Sequence, residues 1–122
     1  MALQRALRLC SNSDFQRVRQ QGRSVSSRLL ILAWSPNDVA RLRIGFVVSK
    51  RISKHAVRRN YIKRLLSEAM RGVLSELPAN VDIVVTARNA AASSDLRLLQ
   101  EDIRTLVKRA GLLAAAPEEQ TQ

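Results

Sequence analysis

The sequence predicts an α+β fold: one domain in which helices pack against a single sheet. Three observations carry this. Ile62, Leu65, Leu66, Ala69, Met70, Val73, Leu74 and Leu77 recur at i, i+3, i+4, i+7 and onward, the spacing of an amphipathic helix. "SSRLLILAW", "RLRIGFVVS" and "VDIVVTAR" are short apolar or alternating runs bounded by turn residues, as strands are. A chain of 122 residues supports one core but not two. With aromatics at 3%, that core must be built from Leu, Ile, Val and Ala.

Taken in order, "CSNSDFQRVRQQG" predicts a first helix with a capping box from Ser13 to Gln16, a shared face for Phe15 and Val18, and a stop at Gly22. "SSRLLILAW" ends at the turn signal "SPND". "RLRIGFVVS" then alternates, with Leu42, Ile44, Phe46 and Val48 on one side and Arg43, Gly45, Val47 and Ser49 on the other, so the two runs are expected to pair as an antiparallel hairpin. The long helix follows "KRISKH" and is expected to run to Pro78. "VDIVVTAR" is a further strand. Leu96, Leu99, Ile103, Leu106, Val107 and Ala110 mark a last helix starting near Ser94. The expected domain spans residues 1–115, and "APEEQTQ", residues 116–122, is expected to fray.

The formal charge is +11, and its distribution is more informative than its total. Residues 1–71 carry 16 of the 21 Lys and Arg against Asp14, Asp38 and Glu68 only, a net of +13, while the remainder is net −2. A disordered basic tail would lack hydrophobic periodicity, so this charge sits on a folded scaffold. The partner expected from it is a polyanion.

The charge concentrates at "AVRRNYIKRLL". At about 100° per residue, Asn60, Lys63, Arg64, Ser67 and Arg71 lie away from the apolar stripe. Arg58 and Arg59, in the first turn, can reach toward Lys50, Arg51 and Lys54 in the preceding loop. A solvated helix face usually mixes both signs. From Arg41 to Arg71 there are ten basic residues and one acid, so an external anion would relieve the repulsion. The guanidinium fork grips phosphate with paired hydrogen bonds, and Asn60 adds a donor and an acceptor suited to a base or a 2′-hydroxyl.

"RIGFVVSKR" followed by "AVRRNYIKRLLSEAMR" resembles the protein subunit of bacterial ribonuclease P, a family with a strand of type R-x-G-x-x-V-x-K and a helix bearing R-N-R-x-K-R. Arg59, Asn60, Lys63 and Arg64 match that signature, and Tyr61 stands where the family has arginine. "SDFQRVRQQGRS" resembles the family's first helix and "DIVVTARNAA" its late strand. The resemblance implies an αβββαβα order with a left-handed βαβ crossover, against the usual right-handed preference. It implies that Lys50, Arg51, Lys54, Arg58, Arg59, Asn60, Lys63, Arg64 and Arg71 bind the catalytic RNA. It further implies that Phe15, Arg19 and the sheet face around Ser49 line a cleft for the single-stranded 5′ leader of precursor tRNA, where stacking holds bases without strong sequence preference. Some members have a second aromatic at the position of Arg19.

Protein-catalysed phosphodiester hydrolysis commonly uses a metal-holding carboxylate cluster or a histidine pair. Asp14 reads as a residue near a helix start, Asp38 as a turn residue, and Glu68 as a partner of Arg64 or Arg71. His55, the only histidine, reads as a loop residue, and Cys10, the only cysteine, has no partner for a disulfide or a nucleophilic pair. No catalytic residue, metal site or protein-bound cofactor is expected here, and the resemblance implies an RNA-catalysed cleavage that needs Mg2+. The absence of disulfide pairing, of any run approaching the roughly 20 apolar residues of a membrane span, and of a signal core in "MALQRALRLC" leads to the cytoplasm as the expected location. No membrane or DNA partner is expected. A stand-alone or ribosome-associated RNA-binding protein uses the same basic helix and remains an alternative. A DNA-binding module with Asn60 reading adenine is a further one, though no helix-turn-helix accompanies it.

Overall fold

The computed structural model describes residues 8–9, 11–39 and 41–112, so Cys10 and the expected tail lie outside the described residues. The elements are α1 (Asn12–Gln21), β1 (Arg23–Ser26), β2 (Leu30–Pro36), β3 (Arg43–Val47), α2 (Ala56–Arg71), β4 (Val81–Ala87) and α3 (Leu96–Ala110), the αβββαβα order. One sheet of order β1-β2-β4-β3 carries α1 on one face and α2 with α3 on the other.

The expected hairpin does not form. β4 lies between β2 and β3, antiparallel to the first and parallel to the second, so β3–α2–β4 is a crossover unit. The reason is burial: β4 is covered on both faces along nearly its whole length, and only the central place supplies that. β3 takes the edge. Leu30, Leu32, Ile44, Val81, Ile83 and Val85 meet Ile62, Leu66, Met70, Leu99, Ile103 and Leu106 in the larger core. On the opposite face, Val18 packs with Leu9, Ala33 and Val84, and Phe15 and Val47 lie against them.

Two local expectations are corrected. α1 starts earlier than the Ser13–Gln16 box requires: Ser11 is the N-cap, it makes no side-chain capping bond, and its hydroxyl pairs with that of Ser13 at 2.8 Å. The stop at Gly22 is as expected, although its backbone is extended; a Cβ there would overlap the Trp34 and Val18 carbonyl oxygens, so the residue is glycine because α1 turns tightly onto β2. α2 does not run to Pro78. It ends at Arg71, because Gly72 and β-branched Val73 are poor helix formers, and a 3-10 turn over Leu74–Glu76 keeps Val73 and Leu77 in the core. α3 begins at Leu96, where the Asp95 carboxylate accepts from Leu98 N–H at 2.9 Å. It closes in a Schellman motif on left-handed Gly111, with Leu112 N–H bonded to Val107 O at 3.0 Å.

The α1 face holds the one charged residue that is fully buried among the described residues. Asp82 is 0% exposed and stands in register with Arg43 on β3 and Ser35 on β2. Arg43 donates to both its oxygens, each at 2.9 Å, Asn37 Nδ2 donates at 2.8 Å, and Arg17 of α1 donates through Nη2. Arg17 also reaches Ser35 Oγ at 3.2 Å and Pro36 O at 3.1 Å. Burial disfavours the charged carboxylate, yet the hydrogen bonds from Arg43, Asn37 and Arg17 outweigh it and hold Asp82 below its usual 3.8. Its contribution to stability is therefore present above about pH 3.8 and lost as pH falls further toward the depressed folded-state value. Asp82→Asn is expected to cost about 2–4 kcal/mol at pH 7, since it leaves the half-buried Arg17 and Arg43 guanidinium groups without their counter-charge. In urea unfolding from pH 7 to pH 3 the gap to wild type should narrow below pH 4; a constant gap would show that the charge is not what Asp82 contributes.

Candidate nucleic-acid interface

The basic helix and the first helix face one another around the outer edge of β3. Arg8 forms an isolated parallel bridge to Ile44, and Leu9 N–H donates to Ile44 O at 2.9 Å, so Arg8 and Leu9 lie along that edge. A cleft of about 460 Å³ opens there. Its walls are Phe15 and Gly45 on one side and Asn60, Lys63, Arg64 and Ser67 of α2 on the other. A second cleft of about 350 Å³ continues between α1 and the end of β3, lined by Asn12, Gln16, Arg19, Val47 and Val48. Phe15, Phe46 and Lys63 line both, so the two are continuous.

The aromatic wall rests on a missing side chain. Phe15 lies so close over Gly45 that a Cβ there would overlap Cζ and stand 2.6 Å from Cε1. Glycine in β3 thus lets the ring approach the sheet closely while it lines the cleft.

The remaining expected residues divide into exposed cations and cations engaged by the protein. Lys50, Arg51, Lys54, Lys63 and Arg64 are exposed. Arg59 donates to Ser53 O at 2.9 Å and so ties the loop to the start of α2. Arg58 reaches the other way, to Ala92 O at 2.6 Å, with its guanidinium over the Tyr61 ring at 5.4 Å. Arg71 pairs with Glu68 at 3.2 Å, the partnership expected from their spacing. Ser49 stands just past β3, where its hydroxyl accepts from Arg51 N–H at 3.2 Å. Ser67, placed on the outer face of α2 by helical geometry, is only 7% exposed and forms the cleft floor, because the edge of β3 covers that side of the helix.

Carboxylates are committed elsewhere. Asp14 lies 3.6 Å from both Arg17 and Arg43, Asp82 is enclosed by arginines, and Asp102 accepts from Ser27 at 2.6 Å. Among the described residues no three His, Cys, Asp or Glu side chains converge on a point that could hold a metal ion. Arg17, Arg43 and Asp82, which orient α1 and hence Phe15, were not among the residues expected from sequence. A lone aspartate in a strand that is otherwise apolar was the signal that could have found them.

The family model named Ribonuclease P matches residues 3–111. A ribonuclease P protein component from Chloroflexus aurantiacus is 42% identical over 118 residues, which cover 96% of this chain and 87% of that protein. One from Caldanaerobacter subterraneus subsp. tengcongensis is 37% identical over 105 residues, covering 86% and 90%. Among solved structures, the ribonuclease P protein of Staphylococcus aureus superposes with a TM-score of 0.79 at 32% identity, covering 89% of this chain and 99% of that one. That of Thermotoga maritima gives 0.74 at 28% identity, covering 84% and 96%.

The contact of Phe15 with Gly45 is testable by a double-mutant cycle. Gly45→Ala should cost about 1 kcal/mol, a modest amount because the ring can swing away where backbone could not. Combined with Phe15→Ala, its cost should largely vanish in urea unfolding, giving a coupling of at least about 0.5 kcal/mol. Additive costs would show that the ring does not rest on Gly45.

Proposed function

The chain belongs to the bacterial ribonuclease P protein family, and on that premise we propose that it binds the catalytic ribonuclease P RNA through α2 and holds the 5′ leader of precursor tRNA between α1 and β3. The observation that carries this reading is the continuity of the two clefts, with Lys63 and Phe15 shared between them. A polyanion on α2 and a single strand in the cleft would then lie side by side across the edge of β3.

Two RNAs brought that close repel. Lys50, Arg51, Lys54, Lys63 and Arg64 neutralise phosphates where they meet, and release of condensed counterions drives the association. Asn60 supplies a neutral donor and acceptor beside them, Phe15 offers a stacking surface to a leader base, and Arg19 a phosphate contact at the far end of the cleft. The carboxylates beside the cleft are held by arginines, which supports assigning hydrolysis of the bond 5′ to the mature tRNA to the RNA and its magnesium ions. The protein's part is to position and to neutralise. No helix among the described residues is long and apolar enough to cross a membrane, and the proposed location is the cytoplasm, where tRNA precursors are processed.

Leader cleavage at low magnesium, with a ribonuclease P RNA from a related bacterium, tests this. The protein should accelerate cleavage, and replacing Asn60, Lys63 and Arg64 together with alanine should abolish that acceleration. Each lost cation should also flatten the salt dependence of RNA binding by about 0.7–0.9 in log–log slope. Phe15→Ala should weaken binding of leader-bearing tRNA by roughly 10-fold while leaving mature tRNA unaffected. Tight RNA binding without any acceleration would overturn the processing role in favour of a general RNA-binding protein.

A further inference from the structure

α2 has a second flank that the clefts do not use. Val57 and Tyr61, one helical turn apart, are 83% and 42% exposed, an apolar pair on the most cationic surface of the molecule. They line a shallow depression of about 480 Å³ with His55, Arg58 and Arg64. Only Arg64 is shared with the cleft that Phe15 borders. Water gains nothing from an exposed ring and isopropyl group here, and the Tyr61 hydroxyl has no hydrogen-bond partner among the described residues. The ring is nevertheless held, because Arg58 is fixed at one end to Ala92 O at 2.6 Å and lies over the ring 5.4 Å from its centre. A cation over an aromatic face steadies the ring against rotation.

An apolar platform with guanidinium groups at two sides matches an unpaired nucleobase: the base stacks, and its neighbouring phosphates meet cations. We propose that Val57 and Tyr61 seat one unpaired base of the ribonuclease P RNA, with Arg58 and Arg64 beside the adjoining phosphates. The RNA subunit, rather than the leader, is the occupant because this flank shares only Arg64 with the cleft beside Phe15 and no residue with the cleft that Arg19 lines. The inference rests on the reading of α2 as the surface that meets ribonuclease P RNA. It also assigns a role to Tyr61, which replaces the arginine of the family signature: a phosphate contact exchanged for a stacking one.

Tyr61 is the only tyrosine of the chain, so 3-fluorotyrosine incorporated into the full-length protein reports on this position alone. Added ribonuclease P RNA should move the fluorine resonance upfield by the ring current of a stacked base. Tyr61→Phe should bind that RNA as wild type does, and Tyr61→Leu should bind roughly 10- to 100-fold more weakly with an unchanged salt slope and an unchanged Tm. Tyr61→Arg should steepen the salt slope by about one contact. The proposal is overturned if saturating RNA leaves the resonance in place, if Tyr61→Leu binds as wild type, or if only a later addition of precursor tRNA moves the signal. Lys63→Ala and Arg64→Ala, assayed in parallel, keep the two readings apart. Should they lower RNA affinity while Tyr61→Leu does not, the stacking site alone fails; should none of the three matter, α2 is not the RNA surface.

Discussion

The buried carboxylate of Asp82 is the constraint on which the arrangement of the molecule depends. A charge in the middle of an apolar strand is tolerated only where its hydrogen-bonding capacity is filled, and here that requires Arg43 from β3, Asn37 from the β2–β3 connection and Arg17 from α1. Filling it locks the first helix to the sheet at one rotation and one height. Two turns of hydrophobic contact through Val18 could slide. Arg17, tied at once to Asp82, Ser35 Oγ and Pro36 O, cannot, and Asp14, 3.6 Å from both Arg17 and Arg43, resists the remaining freedom.

That lock reaches the cleft one residue at a time. With Arg17 held over Asp82 and Ser35, Phe15 falls over the next row of the sheet, where Gly45 stands beside Val84. With β4 claiming the centre, β3 is left at the edge, and α2 can come alongside its open flank. The cleft is therefore a by-product of burial: the most apolar strand goes inside, and the strand carrying Arg43 and Gly45 goes to the rim where a ligand can reach it. Charge and apolar surface separate the same way on α2, whose stripe from Ile62 to Met70 faces the core while Asn60, Lys63 and Arg64 face the gap.

Much of this was legible in the amino-acid order, and the part that was not has a common physical character. The periodicities that mark α2, α3 and the β2, β3 and β4 segments are local, and each segment formed where its pattern placed it, save that α2 stops at Arg71, short of Pro78. Pairing is not local. "SPND" between two strands reads as a hairpin, and only the demand of "VDIVVTA" for cover on both faces, a property of the assembled sheet, sends β4 between them. Ser67 shows the same thing on a smaller scale, since helical geometry places it outward and a neighbouring strand then buries it. β1, four residues without an apolar run, was visible only through the family resemblance. Lys63, Arg64 and Phe15 were found because charge density and motif are properties of sequence, whereas the engagement of Arg58 and Arg59 by backbone carbonyls depends on where the chain folds back.

Both margins of the sheet are also poorly suited to strand addition. An open sheet with an uncovered edge is a template for another copy of itself, and a chain with 46% apolar residues is vulnerable to polymerising that way before it meets any partner. At β3 the Arg8–Leu9 segment occupies the edge at Ile44, and the cations beyond it repel an approaching copy. At the other margin β1 is only four residues long, begins with Arg23, and ends where Arg109 and Arg88 bind the carbonyls of Ser26 and Ser27. The same positive charge thus also works against edge-to-edge pairing of two copies.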